Sequence, residues 1–177
     1  MDAARVWAVP IVVRRISVGE GDLLKRVRLA ALRDSPFAFG STHAAEVDRS
    51  DAEWVQRARL GAEGTGRSTF FAIEGARVVG IGGGYRDDEV RTEVELVSMW
   101  TSPTARRGGS GRGLVKSVVE WAGATGAGLV GLWVTRGNEP AQALYESVGF
   151  EATGEYQPLP SDPCKDELRM VLRLTAP

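Results

Sequence analysis

The stretch from Ser102 to Ala122, SPTARRGGSGRGLVKSVVEWA, changes character after Gly111. A loop rich in glycine and arginine gives way to apolar residues at helical spacing: Leu114, Val115, Val118, Val119 and Ala122. A loop at a helix N-terminus suits an anion, because the first backbone N–H groups have no intrahelical partner and aligned peptide dipoles leave roughly +0.5 charge there. Between Thr101 and Lys116 stand Arg106, Arg107, Arg112 and Lys116 and no acidic residue. The chemistry this composition points to is the binding of a phosphate group. A nucleotide loop GxxxxGK[ST] does not fit, since Val115 occupies the place of its second glycine ahead of Lys116 and Ser117. The dinucleotide fingerprint GxGxxG does not fit either, because Gly109, Gly111 and Gly113 are spaced GxGxG and no parallel βαβ unit precedes them. The loop alone leaves a solvated glycine-rich turn open. Two other reactive residue types carry less. His43, the single histidine, lies in a loop outside any motif, and Cys164 follows Pro163 in a polar turn with no histidine near it in sequence.

The elements that must hold this loop follow from periodicity. IVVRRI (11–16) predicts a first strand, and GDLLKRVRLAALRD (21–34) a helix with Leu23, Leu24, Val27 and Ala31 on one face. A long, partly apolar loop leads to a second helix opening at Ser50 or Asp51, with Glu53 placed for a capping box. STFFAI and RVVGIGGGY flank the turn EGA, and TEVELVSMW follows, so these three strands predict an antiparallel meander. The loop then joins the strand ending near Trp100 to its own helix. GLVGLWVT (128–135) reads as a buried strand, EPAQALYESVG as a helix with Pro140 in its first turn and Gly149 at its C-terminal cap, and KDELRMVLRL as a last strand.

With 177 residues, 43% of them hydrophobic, the expectation is one domain, 1–177, whose core runs from about 12 to 174. A net charge of −1 and a pI near 5.9 point to no nucleic-acid or membrane partner. One cysteine cannot form an internal disulfide. The apolar run near the N-terminus is too short for a signal peptide, and no stretch reaches the ~18 apolar residues of a membrane span. The expected location is the cytoplasm.

Two ordered motifs carry a resemblance. Arg106-Arg107-Gly108-Gly109-Ser110-Gly111 resembles the (R/Q)-x-x-G-x-(G/A) loop of the GCN5-related N-acetyltransferase (GNAT) superfamily. Asn138, Ala141, Tyr145, Gly149 and Phe150 resemble its downstream signature N-x-x-A-x-x-x-Y-x-x-x-G-F. The resemblance implies an α/β fold of the GNAT type: a mixed central sheet of about seven strands with flanking helices, splayed between the fourth and fifth. It implies acetyl-CoA as cosubstrate and no metal. Backbone N–H groups from Arg107 to Arg112 would hold the pyrophosphate, Met99, Trp100 and Thr101 would line the pantetheine arm, and Asn138 would hold it from the other side. An amide near Met99 or Trp100 would meet the thioester carbonyl. Gly108 and Gly113 depart from relatives that carry bulkier residues there, which weakens the helix start without removing a donor.

The implied transfer needs two proton movements. A free amine of pKa about 10.4 is neutral roughly once in 10³ molecules at pH 7, so a base is wanted. Glu95, eleven residues before Arg106, stands where one branch of the superfamily keeps its catalytic glutamate, with Glu93 as a near competitor and an arginine-satisfied strand carboxylate as the plainer alternative. A departing thiolate, with a pKa of about 8.5 as its acid, gains less from a proton, and Tyr145 is the candidate acid. The acceptor would be shaped by residues 34–60 and 156–165, where Phe37, Phe39 and Trp54 could wall an apolar pocket. In 34–60 the acids Asp34, Glu46, Asp48, Asp51 and Glu53 are offset by Arg49, Arg57 and Arg59, so no strong cation-attracting field arises and a polycationic acceptor is disfavoured. The expected partner is a small-molecule amine, and a homodimer is compatible with the sequence. Contrasting readings are a non-catalytic CoA-binding module of the same fold and acetylation of a protein amine.

Overall fold

The computed structural model describes residues 9–87, 90 and 92–174. Its elements are β1 (Ile11–Arg15), α1 (Gly21–Asp34), α2 (His43–Val47), α3 (Asp51–Glu63), β2 (Arg67–Glu74), β3 (Arg77–Tyr85), β4 (Glu93–Thr101), α4 (Ser110–Ala124), β5 (Leu129–Thr135), α5 (Glu139–Val148), β6 (Glu151–Leu159) and β7 (Asp162–Arg173). The strands form one sheet in the order β1-β2-β3-β4-β5-β7-β6. All neighbours are antiparallel except β4 and β5. This is the mixed, helix-flanked sheet that the resemblance implies, with the meander at β2 to β4.

Alternation along the strands sends side chains to two separate cores. Phe71 and Ile81 pack on one face with Leu24 and Val27 of α1 and Trp54 and Ala58 of α3. Phe70, Ala72, Val94, Leu96 and Leu132 pack on the other with Leu114 and Val118 of α4 and Tyr145 of α5. Each fully buried Leu or Phe stabilises by about 1.5–3 kcal/mol. The helix ends follow local chemistry. Ser50 and Glu53 close the capping box that starts α3. Asn138 accepts from the Ala141 N–H at the start of α5, and Gly149, at φ 109°, ends it.

Two elements depart from the sequence expectation. β6 is exposed along most of its length, so it shows no alternation from which a strand could be read; its pairing with β7 makes it one. Part of the long loop after α1 is the short helix α2, begun by Thr42, whose hydroxyl accepts from the Ala45 N–H at 3.1 Å.

The parallel pair is short, joining only Glu93–Glu95 to Leu129–Gly131. Past Glu95 the two strands part, as expected of a sheet splayed at this pair. On the other side of β4 the register to β3 slips between Ile81 and Gly83, leaving Ser98 at φ 60°. Such a bulge bends the strand and re-aims its side chains. Gly82, opposite the bulge, leaves room for the Met99 side chain, since a Cβ there would lie 2.6 Å from Met99 Sδ.

Candidate active site

A cavity of about 720 Å³ opens where β4 leaves β5, between the N-termini of α4 and α5. Met99, Trp100 and Thr101 of β4 line it, with Arg106, Arg107, Gly109, Ser110, Gly111 and Arg112 from the loop and start of α4, and Asn138 and Tyr145 from the α5 segment. Of the residues expected at the donor site, Gly108 is not among the lining residues. The structure adds Ser35 and Ala38, from the segment after α1, and Pro140, Ala141 and Leu144 on α5. Ala141 belongs to the signature, and Leu144 could have been found from it as Tyr145's helical neighbour. Ser35 and Ala38 carry no sequence signal, because only the folded chain brings the end of α1 against the loop.

Helix α4 begins at Ser110, preceded by Gly109 in the left-handed region at φ 87°. The N–H groups of its first turn have no intrahelical acceptor, so they and the helix dipole present partial positive charge to the cavity. The arginines contribute less freely than their number suggests. Arg106 donates from Nε to the Thr101 carbonyl at 3.1 Å and pairs with Asp34. Trp100 Nε1 donates to the same carboxylate at 2.8 Å. Burial pushes the Asp34 carboxyl up, but bonds from Ser35 and Trp100 and the Arg106 charge hold it below the usual range. Arg112 donates to the Ser147 carbonyl on α5. Two guanidiniums thus brace the loop against α1 and α5.

Tyr145 is 7% exposed, packed at 5.9 Å between ring centroids from Phe150. Its burial raises the phenol pKa far above its ordinary value, so the hydroxyl keeps its proton at neutral pH. Among the described residues that hydroxyl makes no hydrogen bond, and the residue lines the cavity.

Glu95 does not line this cavity. It stands on β4 where the parallel pairing ends, and both its oxygens accept from Arg169 Nη1, at 2.8 and 2.7 Å. Arg169 Nη2 also pairs with Glu93. Burial lifts the Glu95 carboxyl above its ordinary value, outweighing the pull of Arg169, and Glu93 and Glu167 add to the lift. His43 opens α2 and lines neither this cavity nor the smaller one described below. Cys164 is exposed on β7. Phe39 and Trp54 are buried at 4% and 0%, whereas Phe37 is 53% exposed.

One cluster escaped the sequence reading. Arg28 is buried on α1, pairing through Nη2 with Glu46 at 2.9 Å, and Arg57 of α3 pairs with the other Glu46 oxygen at 2.8 Å. Burial raises the Glu46 carboxyl, but the two guanidiniums overcome it and bring its pKa down to about 2. The signal was present in the sequence: Leu24, Arg28 and Leu32 recur every four residues on the buried face of α1.

Residues 28–150 match the model of the Acetyltransferase (GNAT) family. Among solved structures, the chain is similar to yncA of Salmonella typhimurium, solved with its cofactor acetyl-CoA: 17% identity, TM-score 0.76, covering 94% of this chain and 95% of that one. It is similar to a phosphinothricin acetyltransferase from Sinorhizobium meliloti in complex with acetyl-CoA, at 20% identity and TM-score 0.74, covering 93% and 88%. A spermidine N-acetyltransferase from Vibrio cholerae, in complex with CoA and spermine, matches at 14% identity and TM-score 0.72 over 94% and 96%. A search of curated proteins finds no match.

Proposed function

Because this chain belongs to the GNAT acetyltransferase family, we propose that it moves an acetyl group from acetyl-CoA directly to a primary amine of a small molecule, with no covalent enzyme intermediate. The observation that carries the reading is convergence. The start of α4, the strand β4 where it leaves β5, and Tyr145 all line one cavity. The whole chain acts as one such domain, in the cytoplasm. No helix among the described residues is long and apolar enough to cross a membrane.

The donor set fits acetyl-CoA. The N–H groups of Arg107 and of Gly109 to Arg112 take the pyrophosphate, that of Gly108 being spent on the Ala105 carbonyl at 3.3 Å; Met99, Trp100 and Thr101 take the pantetheine arm along the freed edge of β4, and Asn138 closes it from α5. The Asn138 carbonyl oxygen already caps α5 at Ala141, which leaves its NH₂ to donate outward. A β4 amide after the Ser98 bulge stabilises the oxyanion formed when the amine adds to the thioester carbonyl. Tyr145 gives its proton to the sulfur as the C–S bond breaks. Glu95 accepts the amine proton. Strand rise of about 3.3 Å per residue puts it up to roughly 13 Å from Met99, so the proton travels through water. Its raised pKa strengthens it as a base, and each oxygen keeps a lone pair free beside Arg169. Small amines are acceptors of two similar folds, as phosphinothricin and spermidine in the names of those enzymes indicate.

The donor site is tested by Gly111→Glu. A Cβ at this position meets the end of Leu144 at 3.0 Å and Thr101 Oγ1 at 3.6 Å, both side-chain atoms, so the main effect is a negative charge beside the pyrophosphate site. Calorimetric titration with acetyl-CoA should show binding by the parent and none by the variant, with an unchanged far-UV spectrum. A variant that binds as the parent does would contradict the assignment.

A further inference from the structure

On the α1 and α3 side of the sheet lies a second, smaller cavity of about 90 Å³. Three arginines line it, Arg28, Arg57 and Arg67, together with the hydroxyl-bearing Ser68, Thr69, Tyr85 and Ser98. No Asp or Glu does so among the described residues. Glu46 sits behind it and balances one charge of the Arg28–Arg57 pair. Arg67 lies 4.7 Å over the Tyr85 ring and makes no ion pair among the described residues. The cluster therefore carries two positive charges without a counterion.

The guanidiniums are also pre-positioned. Arg28 stacks 4.6 Å over Phe39 and Arg57 4.8 Å over Trp54, both buried rings. Arg28 Nη1 reaches Ser98 Oγ at 3.2 Å. Ser98 is the residue at the β4 bulge, and the next residue, Met99, lines the donor cavity. The cationic cavity and the donor cavity are thus lined by consecutive residues of one strand, Ser98 and Met99. Val97 lines the cationic cavity and shares its strand face with Glu95.

From this geometry we infer that the acceptor is a small amine that carries a carboxylate, an amino acid or a close relative, with its carboxylate held by Arg28, Arg57 and Arg67. The inference rests on the acetyltransferase reading and names its substrate class. A carboxylate supplies the missing counter-charge, and planar guanidinium forks match its geometry. The size fits as well: at ~30 Å³ per water, the cavity holds about three waters, which suits a carboxylate and excludes a peptide chain. A polyamine would bring like charge to the arginines.

The test pairs α-amino acids of varied side chain with their own primary amides and adds spermidine, following thiol release from acetyl-CoA. Amidation removes the charge and lowers the amine pKa, so a preference for the acid cannot come from amine basicity. Charged hydrogen bonds contribute enough for a preference of about 10–10²-fold in kcat/KM for the acid of at least one pair. Arg67→Gln should raise KM for that acid about tenfold and shrink the preference for acid over amide, while KM for acetyl-CoA holds. Equal rates for acid and amide in every pair, or a preference for spermidine, would overturn the carboxylate inference and leave the acetyltransferase reading standing. No thiol release with any amine would overturn the acetyltransferase reading and this inference with it.

Discussion

Replacing Glu46 with Gln keeps side-chain shape and removes the one carboxylate between Arg28 and Arg57. Glu46 is 2% exposed, and it accepts from Arg28 Nε and Nη2 and from Arg57 Nη1. The variant leaves the buried Arg28 guanidinium facing a second cation with no charge to offset either. Removing one partner of a buried pair costs about 3–5 kcal/mol. In a chain of this size each 1 kcal/mol shifts Tm by about 2–4 °C, so thermal unfolding at pH 7 should begin roughly 6–20 °C lower. The pH dependence carries a sign. The Glu46 carboxyl titrates at about 2 when folded, against 4.5 as its ordinary value, so its stabilisation is fully present above 4.5 and is lost as pH falls toward 2. The stability gap between parent and variant, measured by urea unfolding, should therefore be widest above pH 4.5 and close toward pH 2. A loss of less than ~2 °C at pH 7, or a gap that does not change with pH, would refute the argument.

Tyr145→Phe retains the packing against Phe150 and loses only the hydroxyl, so Tm should hardly move while kcat falls about 10²-fold, the low end for a general acid; unchanged turnover at neutral pH would leave Tyr145 a packing residue. Glu95→Gln should preserve acetyl-CoA affinity and lower kcat/KM most at neutral pH, with recovery as pH approaches the amine's own pKa near ~10; a pH-independent ratio of the two profiles would sink the role of base. Asp34→Asn removes the partner of Arg106 beside the donor loop, and the expected result is a higher KM for acetyl-CoA with a stability change under about 1 kcal/mol, since this pair is partly exposed. An unchanged KM would show that the loop holds its shape without that brace.

What the sequence disclosed was set by periodicity and by backbone chemistry. The α4 loop was legible because glycines and cations gather before an apolar helical pattern, and α3 because Ser50 and Glu53 form a local capping box. The exposed strand β6 was not legible, since a strand with little burial on either face has no alternation to read. Side-chain partners separated in sequence were hidden as well. Arg169 meets Glu95 across 74 residues, and Trp100 and Arg106 meet Asp34 across 66 and 72. Such pairings depend on sheet register and helix docking, which one-dimensional patterns do not encode. Arg28 is intermediate: its place on the buried stripe of α1 could be counted out from Leu24 and Leu32, but its partners Glu46 and Ser98 could not.

The central claim, acetyl transfer from acetyl-CoA to an amine, is met most directly by one measurement. The purified chain is incubated with acetyl-CoA and a panel of primary amines, amino acids included, while free thiol is followed and the amine product is weighed by mass spectrometry. The account predicts thiol release that requires both substrates, matched by one acetyl group on the amine for each thiol formed. Thiol release without an acetylated amine, or acetyl-CoA binding with no transfer to any member of the panel, would contradict it.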